Sequence, residues 1–193
     1  MSAEPGAGPA AGQGPGAEVL IDASLFLGMH SLDERVRSAC KNFFVRHLAA
    51  RHALAMTLEQ VGLCDDLVWR RTREEQDAYY PFMDNLHSEL SITRFGFRRG
   101  DLAAALDSPG LEGLPLSDAL LLAPAVHRGG SLHTASPRLL GRRRLGLPVT
   151  APPDGPELAF PPRLEALYRD SLALRCDLAD LDRISSPDDL DTT

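Results

Sequence analysis

The chain has 193 residues, 44% hydrophobic and 24% charged, enough for one domain with a proper core plus appendages. A formal net charge of -7 excludes a generally basic nucleic-acid-binding surface, while leaving room for a local basic groove. No apolar run approaches the roughly 18 to 20 residues of a membrane span, and the N-terminus lacks the basic start and apolar core of a signal peptide. Three widely spaced cysteines, Cys40, Cys64 and Cys176, form no CxxC or CxxH pattern and read as buried free thiols in a reducing cytoplasm.

Residues 1–16 are glycine, proline and alanine with almost no large side chains. Such a segment cannot bury enough to offset its ordering entropy, so it is expected to be a disordered tail. Next comes VLIDASLFL, an apolar run with one carboxylate, Asp22, in its middle. The first half reads as a buried strand. The acid must cap a turn, bond backbone amides or hold a metal, because an unpaired buried charge is costly.

From Ser31 to His52, apolar residues recur at helical spacing, and Ser31 followed by Glu34 reads as a capping box. ALAMT, from Ala53, is a second short strand, and LEQVGLCDDLVWRR continues as a helix. Thr72 to Leu90 reads as further helix, Ile92 to Phe97 as a strand or extended loop, and Asp101 to Asp107 as a brief helix. Ser117 is expected to cap a helix that ends at Gly129-Gly130. SLHTA is a third strand, SPRLL a turn, and a fourth strand lies near Val149.

APPDGP, from Ala151, reads as a linker. Residues 151–184 then hold this linker and a helix with Leu164, Leu167, Leu174, Leu178 and Leu181 at alternating spacings of three and four. That seam packs on its own core or on a partner, including a second copy in a homodimer. Residues 185–193 form an acidic tail.

Short apolar strands alternating with helices predict an α/β fold, a three-layer sandwich with a central parallel sheet flanked by helices, over residues 17–150. In such sheets functional groups collect at the carboxyl ends of strands. Asp22 and Ser24 lie at the end of the first strand, Glu59 just past the second, and Ser136 just past SLHTA. Asp118 opens the helix leading into SLHTA.

This order of Asp-x-Ser after a strand, Glu at a strand-to-helix junction, LPLSDALLLAPA and then GGSLHTASPRLL resembles the PIN-domain-like superfamily. Many of its members are metal-dependent ribonucleases, including toxins held by antitoxins. The resemblance implies Asp22, Glu59 and Asp118 as catalytic acids and ligands of Mg²⁺ or Mn²⁺, and Ser24, Thr134 and Ser136 as their supporting groups. Ser136 stands where the family often has a fourth acid, and Pro124 interrupts the helix after Asp118. The implied activity is hydrolysis of RNA phosphodiesters. The alternatives are a degenerate PIN-like module that binds a protein partner and cuts nothing, and a toxin silenced by an antitoxin-like partner.

Hard cations take oxygen ligands, commonly one or two carboxylates plus waters, and converging acids need a cation because like charges raise one another's pKa. Each residue also has a plainer reading. Asp22 caps a turn, Asp118 favours the helix dipole, Glu59 is solvated, and Ser136-Pro137 is a turn. Arg138, Arg142 and Arg143 could grip RNA phosphates or sit on a solvated loop. Arg94, Arg98 and Arg99 with Phe95 and Phe97 form a second basic cluster, whose rings suit either single-stranded RNA or the core. The six histidines form no metal signature, although His133 lies beside Thr134.

Overall fold

The computed structural model describes residues 18–142 and 145–179. Both expected tails, 1–16 and 185–193, and Arg143 lie outside the described residues. Five parallel strands form one sheet in the order β3-β2-β1-β4-β5. They are β1 (Val19–Ile21), β2 (Leu54–Thr57), β3 (Ile92–Phe95), β4 (Ser131–His133) and β5 (Val149–Thr150). Leu20 pairs with Ala55 on one side and Leu132 on the other, which makes β1 the central strand.

Successive strand side chains point to opposite faces, and in β1 both faces are covered. Leu20 joins a core with Leu121, Leu122, Leu132 and Leu139. Ile21 joins the larger core with Phe26, Phe44, Met56 and Phe82. The first layer of helices is α5 (Arg99–Asp107), α6 (Leu116–Arg128) and the single turn α7 (Pro137–Leu140). The second is α1 (Ala23–Gly28), α2 (Glu34–Ala50), α3 (Leu58–Trp69), α4 (Arg73–Glu89) and α8 (Pro162–Ser171). The fold is therefore a three-layer α/β sandwich.

Several helix ends depart from the sequence reading. Asp33, not Ser31, caps α2, accepting from the amides of Arg35 and Val36. Ser31 is instead paired in a parallel bridge with Cys176, and its hydroxyl accepts from Asp33 N. The capping box falls on α4, between Thr72 and Glu75. Helix α6 begins one residue before Ser117, after Pro115, and continues through Pro124 to Gly129, whose φ of 67° closes it. SPRLL is one turn of helix, capped by Ser136.

The segment after residue 150 packs on the domain through α2 and α4, where Phe82 meets the rings of Phe160 and Tyr168. Lys41, the only lysine in the chain, is fully buried and donates to Glu157 (2.7 Å) and Glu165 (2.8 Å). Its ammonium lies 4.6 Å from the centre of the Tyr168 ring. Asn42 accepts from Leu158 N at 2.7 Å and donates to Pro156 O at 2.9 Å. Farther on, the Tyr168 hydroxyl donates to Met29 O (3.0 Å) and Cys176 N to His30 O (3.1 Å). Leu164, Leu174 and Leu178 are buried in the larger core, with Leu167 against it. Leu181 lies outside the described residues. All three cysteines are buried, as expected.

Candidate functional site

Chain direction ends β1 at Ile21, and Asp22 takes extended angles (φ -119°, ψ 175°) as the cap of α1. A cap acid is usually half solvated. This one is 2% exposed. Its Oδ1 accepts from the Ser24 amide (3.1 Å) and the Ser24 hydroxyl (2.5 Å), and its Oδ2 from the Thr134 hydroxyl (2.6 Å).

Each hydroxyl has one proton, and these distances send both to the carboxylate. The Ser24–Thr134 oxygens, 3.1 Å apart, then share none. Their lone pairs accept the amides of Ala135 (2.7 Å) and Ser136 (3.0 Å). Burial raises the Asp22 carboxyl to about 6, against the pull of the Ser24 and Thr134 donors toward the ionised form. Ser24 and Thr134 thus hold Asp22 in place.

At the end of β2, Thr57 caps α3 and leaves Glu59 in its first turn. Glu59 is half-buried, burial raises its pKa, and its Oε2 is buried without a hydrogen-bond partner. The adjoining Gln60 is a residue the sequence reading missed. It is 5% exposed, and its Oε1 accepts from Ala23 N at 3.0 Å. It thereby satisfies an open amide of α1 and ties α3 to the residue after Asp22. Glutamine beside glutamate after a strand carries no sequence signal for this, since the partner is 37 positions away.

Asp118 sits in the first turn of α6 and is 1% exposed. Arg138, on α7, forms a close ion pair with its Oδ1. The Arg142 guanidinium stands 3.9 Å from Oδ2, and that oxygen has no hydrogen bond. Two arginines expected to grip RNA are therefore turned inward on an acid. Ser136, expected as a supporting group for the acids, accepts from Leu139 N as the cap of α7, the turn role that the serine–proline pair also allowed. His133 leaves the acids and packs against Phe43 and His47, with centroids 5.2 and 6.3 Å away. The basic cluster of β3 is likewise occupied in part. Arg128 lies 4.0 Å above the Phe95 ring while it pairs with buried Asp101 and with Glu18.

The topology brings all three acids to the carboxyl edge of the sheet. Asp22 follows β1 and Glu59 follows β2, while Asp118 meets the turn that follows β4. Among the described residues, no group of three or more His, Cys, Asp or Glu side chains is arranged to hold a metal ion. The donor chemistry nevertheless suits a hard cation. Two of the acids keep a buried carboxylate oxygen without a donor, and the third is oriented by two hydroxyls.

A family model described as "Family of unknown function (DUF6190)" matches residues 13–181. Among solved structures, the chain is similar to PAE2754 from Pyrobaculum aerophilum, at 16% identity, over 82% of this chain and 91% of that one, with a TM-score of 0.47. No curated protein matches. No helix among the described residues is long and apolar enough to cross a membrane.

Proposed function

The chain belongs to the DUF6190 family, and we propose that its carboxyl-edge acids serve a PIN-like, Mg²⁺- or Mn²⁺-dependent hydrolysis of RNA phosphodiesters. One observation carries the reading. Glu59 Oε2 and Asp118 Oδ2 are buried without hydrogen-bond partners on the edge where Asp22 is fixed. Buried carboxylate oxygens are normally satisfied, and a divalent cation satisfies them. Asp22, Glu59 and Asp118 would hold the ion, which when bound supplies an activated water and neutralises charge on phosphate oxygens.

The chain's own residues do the rest. Ser24 and Thr134 fix the Asp22 carboxylate so that both oxygens keep one direction. Their own oxygens are fixed in turn by the amides of Ala135 and Ser136. Burial raises the Asp22 and Glu59 carboxyls, so cation uptake at these groups would displace protons and weaken as the pH falls.

A second reading is favoured by Arg138 on Asp118 and by Ser136 serving only as a cap. In it the arginine replaces the cation permanently, and the domain is a catalytically degenerate module for a protein partner. The protein is cytoplasmic under either reading.

The test is cleavage of single-stranded RNA by purified protein with Mn²⁺, beside titration calorimetry with Mn²⁺ and Mg²⁺. The nuclease reading expects cation binding and cleavage, both abolished in Asp22→Asn, and both weakened roughly 10- to 100-fold in Ser24→Ala and Thr134→Val. Equal cleavage by folded Asp22→Asn removes this site from the reaction. A folded wild type that binds no cation supports the module.

A further inference from the structure

Asp118 cannot hydrate itself. At 1% exposure, its ionised form needs a built-in counter-charge. Arg138 supplies it, yet the pairing is one-sided. Arg138 holds Oδ1, while Oδ2 has no hydrogen bond and sees the Arg142 guanidinium only at 3.9 Å, beyond hydrogen-bond reach. The two partners also differ in freedom. The side chains of Arg138 and Arg142 are 30% and 37% exposed, so a guanidinium can leave Asp118 for solvent, whereas the carboxylate cannot follow.

We propose that Arg138 is an exchangeable counter-ion. It neutralises Asp118 while no cation is bound, yields Asp118 to a divalent cation, and then pairs with a phosphate oxygen of the RNA backbone. The inference rests on the cation-dependent reading above and adds regulation and substrate contact to the same site. Its logic is electrostatic. A guanidinium and a divalent ion on one carboxylate repel across a few ångströms in a poorly solvated edge, so each lowers the other's affinity. Once released, a planar guanidinium is suited to bidentate phosphate contact, and its position on α7, just past β4, keeps it at the carboxyl edge. The exchange moves one charge from an internal acid to the substrate, with no bond made or broken.

The test uses the full chain, wild type, Arg138→Gln and Arg138→Lys, at fixed ionic strength. Mn²⁺ affinity is measured by calorimetry. Affinity for a single-stranded RNA oligonucleotide is measured by fluorescence anisotropy at pH and temperature where cleavage is negligible, with and without Mn²⁺. Removing the competing charge should tighten Mn²⁺ binding at least fivefold in Arg138→Gln, with Arg138→Lys between it and wild type. Mn²⁺ should raise the RNA affinity of the wild type more than that of Arg138→Gln, because only the wild type adds a released guanidinium to the cation's own phosphate contact, and equal gains in the two overturn the exchange.

Wild type that binds Mn²⁺, with Arg138→Gln equal or weaker, overturns the exchange and leaves the nuclease reading standing. Should Arg138→Gln fail to fold, Arg138→Lys decides, and Mn²⁺ binding no tighter than wild type overturns the exchange. Folded wild type and variants that all ignore Mn²⁺ overturn both.

Discussion

Replacing Lys41 with methionine keeps most of the apolar stem and deletes the ammonium. That ammonium is fully buried and makes charge-assisted hydrogen bonds of 2.7 and 2.8 Å to Glu157 and Glu165. Each such bond contributes about 1.5–3 kcal/mol, and stranding a buried partner costs about 3–5 kcal/mol. Two features pull the expected loss to the low end. The glutamate side chains keep 27% and 19% exposure, and Arg169 still reaches both. The expected loss is therefore about 3 kcal/mol, or a fall of roughly 6–12 °C in melting temperature for a domain of this size.

Urea and thermal unfolding followed by circular dichroism measure it. The exposed Arg35–Asp154 pair serves as the control, and Arg35→Ala should leave the midpoint where it is. If the ammonium is what holds the C-terminal arm, a triple replacement of Lys41, Glu157 and Glu165 by methionine should recover most of the loss, because an apolar cluster has no stranded charge. A loss under about 1 kcal/mol in Lys41→Met would refute the claim that a desolvated ion cluster fastens residues 155–169 to α2.

Acidification should destabilise the metal-free protein between about pH 6.5 and pH 4. Burial lowers His30, His47 and His87 to about 4 from an ordinary 6.5, so unfolded histidines take up protons that folded ones refuse, and stability falls as pH drops. Asp22, raised to about 6, opposes this, because its folded form takes a proton first. Asp22→Asn should therefore steepen the pH dependence and His30→Gln flatten it, read as urea midpoints at pH 6.5, 5 and 4; stability that rises toward pH 4 in the wild type contradicts the assignment. Gly28→Ala places a Cβ 2.4 Å from Cys40 Sγ in the core and should cost about 1–3 kcal/mol by overpacking. Cys40→Ala in that background should restore stability, and no restoration would mean the clash is not with the thiol.

Local patterning carried most of the architecture. VLI, LAMT and SLH are short segments set between helical spacings, and that alternation implies strands joined by parallel crossovers. The placement of the three acids relative to the strands and helices was legible for the same reason, since each follows a strand or opens a helix at a defined end. Residues whose meaning depends on a distant partner were not. Ser31 looked like a helix cap until the return of the chain at Cys176 claimed it. Arg138 and Arg142 looked like phosphate ligands because nothing near them in the chain is acidic, while Asp118, twenty positions back, waits across the β4 crossover.

Periodicity along a chain encodes which side chains leave water, and that much the residues of this protein settled alone. Which buried charge meets which counter-charge is decided in three dimensions. Thr134 reaches Asp22 across 112 positions and Lys41 reaches Glu165 across 124. Such pairings follow from strand order and helix faces, and strand order is set by how the whole set of helices covers the sheet. The tertiary structure alone therefore turned a row of acids into one carboxylate braced by hydroxyls, one with an unpartnered oxygen, and one held by an arginine.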